Sequence, residues 1–172
     1  MDLLKMTFEE IVEIAPKPIQ RRLEQLKFLN ERPDFHPEPN TYIHTKIVTE
    51  RLMLTKDKNL ILAGLFHDIR KFDCVHANKK TGWPTSPGHD KKASFFILEN
   101  DDIYSWIEDL GADPIEVAGI CEQHIRIKVF DEMRQSKRDA MMDLPYFDKI
   151  LIFTAADNML INDEVFKRNV GE

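Results

Sequence analysis

Cysteine is scarce in this chain. Two among 172 residues, Cys74 and Cys121, cannot build a disulfide framework, so the fold has to hold by packing, and a reducing, cytoplasmic setting is the expectation. Long apolar runs are missing as well. The longest, near LILAGLF and ILIFTAA, fall well short of the ~20 residues that a bilayer span needs, and no membrane association is expected. The opening stretch MDLLKMTFEEIVEI is acidic and has no basic region ahead of an apolar one, so no secretory leader is expected. Nor is there an excess of basic charge. Against 24 Lys and Arg stand 30 Asp and Glu, a net charge of -6, which argues against general nucleic-acid binding while leaving room for a local cationic site. Internal repeats, low-complexity tracts and period-two strand patterns are also absent. What remains is 42% apolar residues with 11 Phe, enough for one packed domain over 1–172.

Helical signals fill that space. Thr7 and Glu10 have capping-box spacing ahead of Ile11 and Ile14. Pro18, a good first-turn residue, opens a second helix carrying Leu23, Leu26 and Leu29. ERPDFHPEPN holds three prolines, which forbid a continuous helix and mark a loop over 31–40. Helices are predicted at about 41–54 and 58–70, the latter capped by Asp57. A second long loop, 72–88, contains Gly82, Pro84, Pro87 and Gly88. Further helices are predicted at about 89–100, 102–110, 114–126 and 145–160, the third of these opened by Asp113, Pro114 and Glu116. The fold class is therefore all-α, with about seven to nine helices.

On this scaffold five short segments supply metal-seeking side chains in the order His, His-Asp, His, His, Asp. They are His44 in TYIHTK, His67 and Asp68 in GLFHDIRK, His89 in SPGHDKK, His124 in CEQHIRIK and Asp157 in FTAADNM. Imidazole and carboxylate suit Zn, Mn, Fe, Co or Ni, and Asp can bridge two ions. Helical phase provides an independent test, since residues three, four and seven apart share a face. Asp157 shares one with Phe147, Ile150 and Thr154; His124 with Val117, Ile120 and Cys121; His44 with Ile47 and Val48; His67 with Leu60 and Ala63. Each polar group thus projects toward the core, where an unpaired carboxylate is costly and a cation removes the cost. Any one of these histidines alone is as readily a hydrogen-bonded core residue. The full set is harder to explain that way.

The set His44, His67, Asp68 and Asp157 resembles the signature of the HD superfamily of metal-dependent phosphohydrolases. GLFHDIRK is similar to that family's HD-I-G-K stretch, and GHDKKAS to its GH-(E/D) segment. HIRIKVFDEMRQSKRDAMMDLPYFDKILIFTAADNM is similar to the HD domains attached to CCA-adding tRNA nucleotidyltransferases. No Gly-rich strand with paired carboxylates accompanies it, so the nucleotidyltransferase domain itself is missing. The likeness covers about residues 40–160. One departure is Arg70, where the family usually has Gly, which puts a guanidinium beside the site or points it to solvent.

The resemblance implies a compact all-helical domain in which His44, His67, Asp68 and Asp157 hold one divalent ion (Mn, Fe, Co, Ni, Zn or Mg). His89 and His124 either hold a second ion, with Asp68 bridging, or face the substrate. It further implies a phosphohydrolase acting on a phosphomonoester or cyclic phosphodiester, a nucleotide by preference, through a metal-activated water. Lys71, one turn after the pair, is the candidate phosphate contact, or else a solvated helix-end lysine. Within the basic run Arg126, Lys128, Arg134, Lys137 and Arg138, Arg134 is the candidate substrate contact and the rest a solvated face. Asp68, Lys71, His89, His124 and Arg134 are thus the catalytic candidates. Asp90 and Lys92 either orient the site or do nothing there. His36 and His76 read as surface residues, Cys121 as helix packing and Trp83 as a plug of the core. Two other classes share the ligand order: a dinuclear-iron oxygenase, and a non-catalytic domain that binds nucleotide or RNA.

Overall fold

The structure is a computed structural model that describes residues 2–34 and 36–171; position 35 of the first proline loop and the two terminal positions of the expected 1–172 domain lie outside the described residues. All eight predicted helices form. They are α1 (Phe8–Ile14), α2 (Lys17–Leu26), α3 (Thr41–Met53), α4 (Lys58–Phe66), α5 (His89–Leu98), α6 (Asp101–Asp109), α7 (Pro114–Gln123) and α9 (Phe147–Asp157). Two short helices were not predicted, α8 (Gln135–Met142) and α10 (Asp163–Val170). Among the described side chains only Met141 is buried in α8 and only Phe166 in α10, so neither carries the long run of buried apolar positions that marks a helix in sequence.

The caps explain where the helices start. Thr7 and Glu10 make the reciprocal capping box of α1. Asn40 accepts from the Ile43 N–H, Asp57 from the Asn59 and Leu60 N–H groups, and Asp113 from those of Ile115 and Glu116. Their stops are less regular. The segment predicted as helix to residue 70 ends as α-helix at Phe66 and continues in turns from a His67 that keeps right-handed dihedrals, and that predicted to 126 gives way after Gln123 to a 3-10 stretch over Arg126–Glu132. Between α4 and α5 lies a two-residue pairing invisible to any period-two test: β1 (His76–Ala77) runs antiparallel to β2 (Pro84–Thr85).

A continuous apolar core runs from Leu3 to Phe166 and includes Leu23, Val48, Leu52, Leu62, Phe66, Ile97, Ile120 and Phe153. At its centre α3 and α4 lie side by side, and Gly64 permits their approach. A Cβ there would stand 2.9 Å from the Thr49 Cα and 3.0 Å from Leu52 Cδ1. Because the first obstacle is backbone, the two helices must separate to admit even a methyl group. Gly64→Ala should therefore destabilise the protein by roughly 1–3 kcal/mol in urea unfolding, as overpacking does. A neutral or stabilising result, the usual consequence of Gly→Ala in a helix, would show that the contact is not tight.

Candidate metal centre

Each of the six groups sits at the end of a helix. His44 is in the first turn of α3, and His89 is the first residue of α5. Gly88, at φ 80, supplies the left-handed turn that starts α5 at that residue. His67 and His124 follow the last residues of α4 and α7, Asp68 comes one position later, and Asp157 ends α9. None is more than 6% exposed.

These ends converge. His44 Nε2 lies 2.9 Å from Asp157 Oδ1, 3.3 Å from His67 Nε2 and 3.7 Å from Asp68 Oδ2. His67 Nε2 is 3.2 Å from Asp68 Oδ2 and 3.7 Å from Asp157 Oδ1. On the other side of Asp68, its Oδ1 is 3.1 Å from His89 Nε2 and 3.8 Å from His124 Nε2, and those two nitrogens are 3.2 Å apart. Asp68 therefore divides its two oxygens between two pairs of imidazoles.

The other ring nitrogens decide the chemistry of that cluster. His67 Nδ1 donates to the Gly64 carbonyl at 2.8 Å, His89 Nδ1 to that of Ser86 at 2.6 Å, and His124 Nδ1 to that of Cys121 at 2.5 Å. His44 Nδ1 donates to Glu38 Oε1 at 2.5 Å. Carbonyl and carboxylate oxygens only accept, so every ring carries a proton on Nδ1 and turns Nε2 toward the cluster. Two facing lone pairs need a cation or a proton between them.

Buried carboxylates sharpen the need. Burial by itself raises the pKa of Asp68, but His67, Lys71 and the hydrogen bonds of His67 and His89 prevail and hold it well below the carboxylate range. Asp157 is likewise raised by burial and then held well down, chiefly by Lys128 and His44. Both lie at or beyond helix C-termini, where the dipole disfavours an anion. His124 is kept neutral by burial and by the neighbouring His67 and His89. His44 moves the other way. Burial lowers its pKa, yet Asp157 and Glu38 raise it to about 9. In the ion-free chain a proton on His44 Nε2 thus stands where a cation would.

The residues therefore fit a metal. Asp68 Oδ2 and Asp157 Oδ2 are buried and accept no aligned hydrogen bond, although Lys71 and Lys128 ammonium groups lie 2.9 Å and 2.7 Å away. Two ligands held ~2.1 Å from one ion at roughly 90–110° stand about 3.0–3.4 Å apart. The two imidazole pairs, at 3.3 Å and 3.2 Å, already have that spacing. His44, His67 and Asp68 form one group able to hold an ion, and Asp68, His89 and His124 another.

Several candidates lie elsewhere than the sequence suggested. Lys71 is neither a free phosphate contact nor solvated: it is clamped between Asp68 and Glu31 Oε1, the latter at 2.7 Å. Arg134 is exposed at the start of α8 and lines neither of the cavities beside the cluster. Lys128, assigned to a solvated face, reaches Asp157 instead. Arg70 lies over the Phe96 ring and pairs with Asp73. Trp83, expected to plug the core, is 40% exposed, whereas Cys121 packs as expected, its thiol against the Ala63 carbonyl. His36 is not a plain surface residue. Its Nδ1 is 3.0 Å from Glu38 Oε1, and its ring stands edge-on to His44.

Two positioning residues went unread. Glu38 binds His44 and His36 through one oxygen; its only sequence signal was a carboxylate six residues before a candidate ligand. Arg51 lies two turns beyond His44 on α3 and donates to the carbonyls of Ala156, Asn158 and Ile161, which caps the α9 end that presents Asp157. A buried arginine in phase with His44 was the available clue.

No protein-family model matches the chain, and no match to a curated protein or a solved structure is found.

Two outcomes follow from the tethered rings. Glu38→Ala frees the His44 tautomer and should weaken metal binding about 10–100-fold, with Glu38→Gln, which keeps an acceptor, losing less; equal losses would mean the hydrogen bond is irrelevant. A metal must also displace the His44 proton. Apparent metal affinity measured by competition with a chelator should therefore climb with pH and level off near pH 9. A profile that is flat below that point would contradict the protonated state.

Proposed function

We propose that this chain is a metal-dependent phosphohydrolase of the HD type, acting on a small phosphorylated substrate, a nucleotide by preference, in a reducing, cytoplasmic compartment. One observation carries the reading: a buried aspartate shared between two pairs of Nδ1-tethered imidazoles, closed on one side by Asp157. Structural histidines have no reason to turn four Nε2 atoms toward one another and toward two buried carboxylates. The order of the ligands along the chain, His44, His67–Asp68, His89, His124 and Asp157, supports the same assignment.

In this reading His44, His67, Asp68 and Asp157 hold one divalent ion, and Asp68, His89 and His124 hold a second. A bound divalent ion supplies Lewis acidity toward a phosphoryl oxygen and acidifies a coordinated water. The chain's own groups do the rest. Lys71, pinned by Glu31, keeps Asp68 ionised. Lys128 is part-exposed and lines, with Asp157, a cavity of about 360 Å3 that also includes His36 and Met159. There it can meet charge growing on the substrate, the task that sequence reasoning gave to Arg134. The two proline loops line a second cavity of about 300 Å3, bounded by His36, Lys71, Ser86 and His89. His36, common to both walls, borders any molecule that spans the cluster.

Elemental analysis and phosphate release test this together. Asp68→Ala should abolish metal content, because it removes a ligand of both groups, whereas His89→Ala should reduce the stoichiometry from two to one. If His89 serves instead as a donor to the leaving group, stoichiometry stays at one in both wild type and variant and turnover drops by about 10²–10⁴. Hydrolysis of a nucleotide panel in ¹⁸O water should place label on phosphate and should stop with chelator. Oxygen consumption by iron-loaded protein without phosphate release would replace this reading with an oxygenase. Metal binding with neither activity would leave a nucleotide- or RNA-binding domain.

A further inference from the structure

The cavity between the proline loops contains a group that the metal cluster does not use. Asp90, the second residue of α5, is 7% exposed and lines that cavity beside His89. Among the described residues it makes no hydrogen bond and no ion pair, unlike Asp68 and Asp157, which are surrounded by imidazole and ammonium groups. The residue is more than nine-tenths buried, so its carboxylate meets solvent only through the cavity, and a ligand that fills the cavity without offering a donor strips that solvent away at a cost in free energy. Its place in the first turn of α5, whose N-cap Gly88 offers no side chain, offsets part of that cost through the helix dipole and explains how the anion is tolerated. The dipole does not supply a partner.

The rest of the wall says what kind of partner fits. Leu29, Pro84, Pro87 and Ile125 are apolar surfaces, and Ser86 and Thr85 add small hydroxyl groups. Such a wall accepts a compact moiety that is apolar over most of its area and bears a few hydrogen-bond donors. The nearby cations are already engaged: Lys71 lies between Glu31 and Asp68, and Arg32 faces Asp34. An acceptor is the unsatisfied group here.

We propose that this cavity is the subsite for the non-phosphate part of the substrate, and that Asp90 selects leaving groups bearing hydroxyl donors, as a polyol or sugar ring does. This rests on the phosphohydrolase reading only in placing the phosphoryl group at the cluster. A site that offers a buried acceptor discriminates strongly against a ligand lacking the matching donor, because the acceptor is then left dry and unpaired.

Phosphonates test it without turnover, since their C–P bond resists hydrolysis. Calorimetry would compare 2,3-dihydroxypropylphosphonate, propylphosphonate and 2-aminoethylphosphonate on the wild-type protein with its measured metal content, and on Asp90→Ala and Asp90→Asn. Wild type should bind the diol about tenfold or more tighter than the propyl compound, as one hydrogen bond to a charged group warrants. Asp90→Ala should bring the two within about twofold, and Asp90→Asn, which keeps one acceptor, should fall between. Circular dichroism of each variant confirms folding, and the more conservative Asn change keeps the test available if the Ala variant is unstable. No preference in wild type, a preference that survives in Asp90→Ala, or no binding of any phosphonate would overturn the subsite. Tighter binding of the aminoethyl compound than of the diol would overturn the hydroxyl assignment in favour of an ammonium. Failure of the phosphohydrolase reading shows separately, as absent phosphate release from the nucleotide panel.

Discussion

A carboxylate with almost no water contact governs the centre of this protein. Asp68 is 1% exposed, and removing an ionised carboxylate from solvent to that extent costs several kcal/mol unless other charges and donors replace the lost hydration. Every group around it can be understood as part of that replacement. Lys71 offsets the charge from below, Glu31 holds Lys71 in turn, and four imidazoles approach the two oxygens from opposite sides. A protein that needed only an inert core would have placed a leucine there. The arrangement makes sense when a cation is the last member, because each histidine has already committed its other nitrogen to a fixed oxygen.

Placing all six groups at helix termini has a geometric logic. A residue within the middle of a helix is held by backbone hydrogen bonds on both sides, and its side chain can reach only along one face. At an end the chain can turn, so consecutive residues such as His67 and Asp68 can both point inward. The carbonyls left free at the ends of α4 and α7 also receive the Nδ1 protons of His67 and His124, three residues on from Gly64 and Cys121. One feature therefore satisfies the helix end and sets the tautomer of the ligand.

How much of this was legible in the chain follows from the range of the interactions. Caps act over three residues and apolar stripes over seven, so α1 to α7 and α9 were readable, as were the inward faces bearing His44, His67, His124 and Asp157. Contacts between distant segments were not. Nothing near Lys71 announces Glu31, and nothing in the basic run distinguishes Lys128, which reaches Asp157, from Arg134, which stays in solvent. Arg51 escaped for the same reason, since its partners lie more than a hundred residues away, whereas Glu38 is near His44 in sequence but sits in a proline loop whose path no periodic pattern sets. The pairing of His76 with Thr85 is too short to leave any periodic trace.

Arg51 also gives the fold an unusual mechanical connectivity. Its guanidinium ties α3 to carbonyls at and just beyond the end of α9, more than a hundred positions later, and His44 on the same helix meets Asp157 across a separation of 113 residues. Two parallel fasteners, one of Arg51 hydrogen bonds and one that a cation held by the cluster would make, thus close almost the same loop. Loop closure grows costly only slowly with length, but a link that closes most of the chain removes more freedom from the unfolded ensemble than a local one. An ion bound there acts as a reversible tertiary staple, so its concentration enters the folding equilibrium directly.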